Sequence, residues 1–414
     1  MARARHSRRR RVRTPRRAHR HRRSPRRGRK RAGKPGTLSR RSFLGLSVGA
    51  LSAWLTGCIG STAIELEQSA PTATPSPSAA PGASPPLPSA TPVLPTYTPV
   101  LATPASPPAP TTEPEPAVDR GTLMAHWPTT ATSRVVLVRH SGAWAGSAPD
   151  RAIVLQMLDT GLGALAGVPD ALPVWRALFD PGERVLLKVN CIAYGGPTPP
   201  AVTYGVAQRL LDAGILAEDV LIFDRTDDEL AAAGYTLNEG EPGLQCRGSR
   251  GDGSEARLTQ ATVRFYQELD ACDAIINIPI PKQHSGAGVS VSLKNHYGSV
   301  DNPGALHGNW CDPAIAELNA QPNVRDKTRL VVGAALNVSP CDWNQPAQEN
   351  ALLLSFDPVA LDTVARDILV RHRQADGLGV GYLVEGARHL KTAQSLELGA
   401  TDAGLIDLQE IVLG

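Results

Sequence analysis

Residues 274–298 read AIINIPIPKQHSGAGVSVSLKNHYG, and the opening of this stretch decides the fold. Ala274–Ile278 is a nearly continuous apolar run, the pattern of a strand covered on both faces of a sheet. Glu183–Val189 (ERVLLKV) has the same character, and Arg134–Arg139, Asp219–Phe223, Arg329–Ala334 and Ala351–Phe356 read as further strands. Helical runs fall between them. Asp150–Leu165 places Ile153, Leu155, Met157, Leu158 and Leu162 at helical spacing. Thr198-Pro199-Pro200 opens a helix with Val202, Val206, Leu210 and Leu211 on one face, and Gly214 stops it. Asp357-Pro358 sets an N-cap and an N1 proline before Leu361, Val364 and Ile368. Strands alternating with helices predict a single α/β domain over residues 120–414, with a largely parallel sheet flanked by helices. Thr236–Gly253 is Gly-rich and polar and reads as a long loop, either a lid or an insertion.

The rest of the quoted stretch holds the chemistry. Three of the seven histidines beyond the N-terminal 57 residues (His284, His296, His307) fall within 24 residues, together with Lys282, Lys294 and Asn295. The stretch leaves the carboxyl end of a strand, where open α/β sheets bind ligands. Lys282 and Lys294 offer point charges for a phosphate or carboxylate, and the histidines can donate, accept or ligate a metal. Gly286 and Gly288 allow close approach of backbone N–H groups to an anion. Lys188 and Asn190 end another strand, and Asp357 and Asp362 flank the start of the late helix. His284, His307 and Lys294 are the candidate catalytic groups, with Lys188, Asn190, Lys282 and Asn295 as substrate binders. Asp357 is most simply a helix cap. Asp362 lies beside an apolar face, where a carboxylate needs a backbone N–H or lysine partner.

The N-terminal part is a different kind of sequence. The chain's net charge of +4 hides 18 Arg and 2 Lys within residues 1–41, without one acid. From Arg120 onward 23 basic residues face 34 acidic ones, which argues against a nucleic-acid or anionic-membrane surface there. Ser39-Arg40-Arg41-Ser42-Phe43-Leu44 resembles the twin-arginine export motif, and Leu55-Thr56-Gly57-Cys58 resembles a bacterial lipobox. Together they predict export by the twin-arginine translocase, lipidation at Cys58 by the lipoprotein-processing enzymes, and a location on the outer face of the cytoplasmic membrane. An ordinary transmembrane anchor is the alternative. The Arg-rich residues upstream read as an overlong n-region or as a start codon placed too early, rather than as a nucleic-acid arm. Residues 71–116 contain 16 Pro among Ala, Ser and Thr, so 58–119 is expected to be a disordered stalk.

Lys188-x-Asn190, Pro281-Lys282-x-His284, Leu293-Lys294-Asn295-x-x-Gly298, Leu306-His307 and Asp357-Pro358-Val359-Ala360-x-Asp362 occur in this order. The ordered set resembles the domain-of-unknown-function 362 family from about Val135 to the C-terminus. The resemblance implies an α/β fold and leaves the activity open. Some relatives join this domain to a ferredoxin-like cluster domain. This chain has no C-x-x-C-x-x-C run, so an iron–sulfur cluster is not expected, and the identity of any cofactor, a metal ion among the options, is left open.

Composition narrows the function further. Aromatics at 4% disfavour an aromatic-rich carbohydrate or single-strand-binding face, and six cysteines are too few for a disulfide scaffold. Five cysteines remain beyond Cys58. Outside the cytoplasm Cys311–Cys341 is the first pair to test for a disulfide, with buried thiols as the alternative. A zinc site from His307, Cys311 and Asp312 matches no standard spacing. The expected function is an enzyme acting on a small anionic substrate through a Lys/His/Asn site. The alternative is a ligand-binding or redox-partner lipoprotein without catalysis.

Overall fold

The computed structural model describes residues 118–124, 132–192, 195–341 and 346–414. The chain divides into two units, 1–103 and 104–414, and all described residues lie in the second. Arg40, Arg41, Cys58 and the Pro-rich stalk up to residue 117 lie outside the described residues.

The centre is an eight-stranded sheet: β1 (Ser133–His140), β2 (Val185–Val189), β3 (Val220–Phe223), β4 (Gln245–Arg247), β5 (Ala274–Ile278), β6 (Thr328–Val338), β7 (Ala347–Ser355) and β8 (Ile406–Leu413). Their spatial order is β8-β1-β7-β6-β5-β2-β3-β4. Every neighbouring pair is parallel except the two that involve β7, which runs against both β1 and β6. The expected largely parallel α/β sheet is therefore the one that forms.

Alternate residues of the inner strands feed two separate cores, which is why those strands read as unbroken apolar runs. Leu186 and Ile275 face one core, with Leu361 and Ile368. Leu187 and Ile276 face the other, with Met157, Leu158 and Val206. The helices that shape the molecule are α1 (Arg151–Ala166), α2 (Leu172–Leu178), α3 (Pro200–Ala213), α4 (Asp227–Ala232), α5 (Ser292–Asn295), α6 (Pro358–Ala375), α7 (Gly381–Gly386) and α8 (Arg388–Ser395). Asp150 caps α1 by accepting from the N–H groups of Ala152 and Ile153. Its buried face is Val154, Met157, Leu158 and Leu162, while Ile153 and Leu155 are only half-buried. Gly161 lets α1 lie close on the sheet, because a Cβ there would stand 2.5 Å from a methyl of Leu354.

One expectation needs correction. The 236–253 stretch is not a single loop: Gln245–Arg247 adds β4 to the sheet edge, and Asp252 begins a hairpin strand that pairs with Thr262–Tyr266. Arg250 ties the segment down through ion pairs to Asp227 and Glu239, both at 2.9 Å. Among the described residues no helix is long and apolar enough to cross a membrane.

Candidate functional site

Neighbouring parallel strands β5, β2 and β3 end together at Ile278, Val189 and Phe223. The residues that follow each end form a cleft of about 630 Å³. After β2 comes Asn190, and after β3 come Asp224 and Arg225. After β5 two prolines lead into the hairpin Lys282–His284/Gly288–Ser290, whose register pairs Lys282 with Ser290. That hairpin delivers α5, which carries Lys294 and Asn295. Asp362 on α6 fixes the start of α5 by accepting from the N–H groups of Ser292 (2.8 Å) and Leu293 (3.0 Å). The partner expected for Asp362 is thus backbone N–H, with the Ser292 hydroxyl as a third donor. Burial pushes this carboxyl up to about 7 against the pull of those donors.

The floor beneath the cleft is ionic. Lys188 is fully buried, and its Nζ donates to Asp224 Oδ1 at 2.8 Å and to the Val189 carbonyl at 2.6 Å. Asp224 also accepts from the N–H groups of Cys191 (2.6 Å) and Arg225 (2.9 Å). Lys188 therefore does not line the cleft as a substrate binder. Its charge is spent on Asp224, which orders the two loops around it. Gly298 covers this pair, and a Cβ there would lie 2.7 Å from Asp224 Oδ1 and 2.9 Å from Lys188 Nζ.

Above the floor three asparagines form a one-way chain. Asn190 Nδ2 donates to Asn295 Oδ1 (3.1 Å), and Asn295 Nδ2 donates to Asn277 Oδ1 (2.8 Å). Asn277 Nδ2 lies 2.9 Å from the Ser292 carbonyl and 3.2 Å from His296 Nε2. Because Nε2 accepts, the neutral ring carries its proton on Nδ1, which faces Ser299 Oγ at 3.2 Å. Burial holds His296 down to about 3, so it stays neutral. His296 is thus part of the support beneath the site.

Both lysines that line the cleft lack an acidic partner among the described residues. None of the described carboxylates lies within 4 Å of Lys282 or Lys294, whereas Arg225 at the rim is paired with Glu229. Lys282 is 6% exposed and donates to Asn190 Oδ1 at 2.7 Å and to the Ile192 carbonyl at 3.0 Å. Lys294 is 7% exposed, sits 4.2 Å over the ring of Tyr297 and approaches His307 Nε2 at 3.3 Å. Desolvation pushes Lys282 down to about 7 and Lys294 down to about 8. His307 Nδ1 faces the Pro303 carbonyl at 2.9 Å, which places the proton there and leaves Nε2 as the acceptor for Lys294. His284 Nδ1 accepts from the Gly286 N–H at 3.0 Å, so its neutral ring carries the proton on Nε2. The two rings stand 5.6 Å apart, and burial lowers both, His284 to about 3.

Of the expected residues, Asn190, Lys282, His284, Lys294, Asn295 and His307 all line this one cleft. Asp357 caps α6 and is also buried against Ser133 and the Ala400 N–H, away from the cleft. Asp224, Arg225 and Asn277 went unforeseen. Asp224-Arg225 follows a strand end just as Asn190 does, and Asn277 is the one amide inside Ala274–Ile278. Among the described residues no group of three or more His, Cys, Asp or Glu is placed to hold a metal ion, the His307, Cys311, Asp312 set included. No disulfide joins Cys311 to Cys341: Cys311 is a buried thiol, and Cys341 Sγ lies 3.8 Å from an Asp376 carboxylate oxygen. A second cavity, of about 390 Å³, opens at the amino ends of β2 and β3. Its arginines Arg184 and Arg247 are already ion-paired.

Fold and cleft together define an α/β protein with a lysine- and histidine-lined crevice at the carboxyl ends of its parallel strands. Residues 185–367 match the family described as "Domain of unknown function (DUF362)", the family the sequence motifs resemble. A thylakoid-associated protein of Synechocystis sp. is 27% identical over 261 residues, which is 57% of this chain and 74% of that relative. Among solved structures, a protein from Thermotoga maritima aligns at 12% identity with a TM-score of 0.37, over 55% of this chain and 60% of that one. The lactate racemase apoprotein from Thermoanaerobacterium thermosaccharolyticum aligns at 13% identity with a TM-score of 0.30, over 54% of each chain. This chain thus spans less than two thirds of either solved chain.

Proposed function

We propose that the protein is a membrane-tethered, extracytoplasmic enzyme acting on a small anionic substrate, a carboxylate or a phosphate. The observation that carries this reading is the pair of buried lysines, Lys282 and Lys294, sharing one cleft with no carboxylate of the described residues within 4 Å of either amine. A buried cation with no counter-ion is costly, and a bound anion removes that cost. His284 and His307 are neutral at the same wall: His284 presents an N–H that can hydrogen-bond a bound oxygen, and His307 a lone pair that can take a proton from Lys294. The tether rests on the twin-arginine-like run at Arg40-Arg41 and the lipobox at Cys58.

Thermal unfolding of the full chain with a panel of small carboxylates and phosphates tests the site. A ligand at about a hundred times its Kd should stabilise the protein by about 2.7 kcal/mol. Lys294→Met should remove that stabilisation without lowering the unliganded melting temperature, and an unchanged ligand response would sink the assignment. Saturable binding without product would make the protein a carrier rather than an enzyme. Cys58→Ala should release it from the membrane fraction, and retention there would reject the lipid anchor.

A further inference from the structure

Lys282 is held in a way that its charge alone does not require. Its Nζ has two acceptors, Asn190 Oδ1 at 2.7 Å and the Ile192 carbonyl at 3.0 Å. Asn190 cannot turn to offer its NH₂, because Nδ2 is engaged by Asn295, whose own NH₂ is committed to Asn277 Oδ1 and the Lys188 carbonyl. A neutral amine has two N–H bonds and one lone pair. Two acceptors take both N–H bonds and leave the lone pair for the cleft that Lys282 lines. An ammonium would carry a third N–H with no carboxylate of the described residues within 4 Å to receive it. The stem is fixed as well: at Gly195 a Cβ would stand 3.0 Å from Lys282 Cδ and 2.8 Å from Ser339 Cβ.

We infer that Lys282 is a nucleophile that forms an imine with the carbonyl carbon of an oxo carboxylate whose carboxylate group is held by Lys294. The inference rests on the anion-binding reading of the cleft and adds the substrate class. The lone pair of Nζ adds to the carbonyl carbon, and one N–H proton passes to the carbonyl oxygen to give a carbinolamine. The second N–H proton leaves with that oxygen as water, so one water is released per imine and nothing is oxidised or reduced. Desolvation supports the step by keeping the amine near neutrality, at about 7, although Asp224 and Cys191 pull the other way. The imine would be the usual electron sink for bond changes at the adjacent carbon, with the His284 and His307 rings beside it to move the proton.

Reductive trapping tests this directly. The full chain is incubated near neutral pH with pyruvate and cyanoborohydride, digested, and mapped by mass spectrometry. Beyond residue 57 the chain has only five lysines, and exposed Lys391 serves as the reference for an ordinary surface amine. Trapping at Lys282 should run roughly tenfold or more faster than at Lys391, because far more of it is unprotonated. Lys282→Arg should lose the adduct while keeping a cooperative melt. Asn190→Asp, which sets a carboxylate beside the amine, should slow trapping by a similar factor even if Lys282→Arg fails to fold. Trapping at Lys282 no faster than at Lys391 overturns the imine. If acetate or phosphate still stabilises that same preparation, the anion site stands without it, and if neither does, both readings fall.

Discussion

Gly298 shows how little room the site leaves at the level of single residues. Its missing Cβ is the space occupied by the Lys188–Asp224 pair. Gly298→Ala should therefore destabilise the fold by about 1–3 kcal/mol, in the range of other overpacking changes. Asp224→Ala should cost more, about 3–5 kcal/mol, because it strands a fully buried ammonium. Urea unfolding of the two variants checks the order, and a milder effect for Asp224→Ala would mean that Lys188 finds another partner. Lys282 and Lys294 behave differently, since each faces open space. Losing Lys294 should weaken anion binding by roughly tenfold to a hundredfold, the scale of a charge-assisted hydrogen bond of about 1.5–3 kcal/mol. Isothermal calorimetry with the best ligand measures it.

Helix α5 is only four residues long and does not hold itself in place. Asp362 on α6 supplies the acceptor for its first N–H groups, so the direction of Lys294 and Asn295 depends on a residue that never touches the cleft. Asp362→Ala should cost about 2–4 kcal/mol from its orphaned donors and should weaken ligand binding beyond that loss of stability. Binding measured well below the variant's melting point separates the two. Preserved affinity there would show that α5 is placed by its neighbours alone. This is also where sequence reading stopped. The strands, the helix caps at Asp150 and Asp357 and the strand-end location of Lys282–His307 were legible, because periodicity and caps are local. That Lys188 would pair with Asp224, 36 residues away, was not, because a lysine at a strand end looks the same whether its partner is a ligand or an acid. Asn190, Asn295 and Asn277 were equally opaque as a chain: their order in space is set by the β5-β2 adjacency, which no short motif encodes.

The molecule as a whole should respond to pH through these buried groups. Asp362, raised to about 7 in the folded state from about 3.9 when unfolded, keeps a proton that the unfolded chain has released, so its contribution falls as pH rises from about 4 to 7. Lys282 and Lys294, depressed to about 7 and 8, do the reverse: the unfolded chain holds more protons above these values, and stability rises with pH toward about 10. Anion affinity should drop through pH 7 to 8 as the two ammoniums are lost. Melting curves and calorimetry across pH 5 to 9.5 read both trends, in wild type and in Lys282→Met. An affinity flat over that range would mean that neither lysine carries the bound charge.

The pairing of β8 with β1 reaches beyond the site. Eight residues from Ser133 to His140 lie in register beside Ile406 to Leu413, with 273 positions between partners. A nascent chain on the ribosome has made β1 early, yet one edge of that strand stays uncovered until residues 406–413 emerge. Ribosome-bound intermediates would therefore carry an open, apolar strand edge from residue 140 until residue 406 is made. Any quality control that screens for such edges would see this one until residues 406–413 have been made.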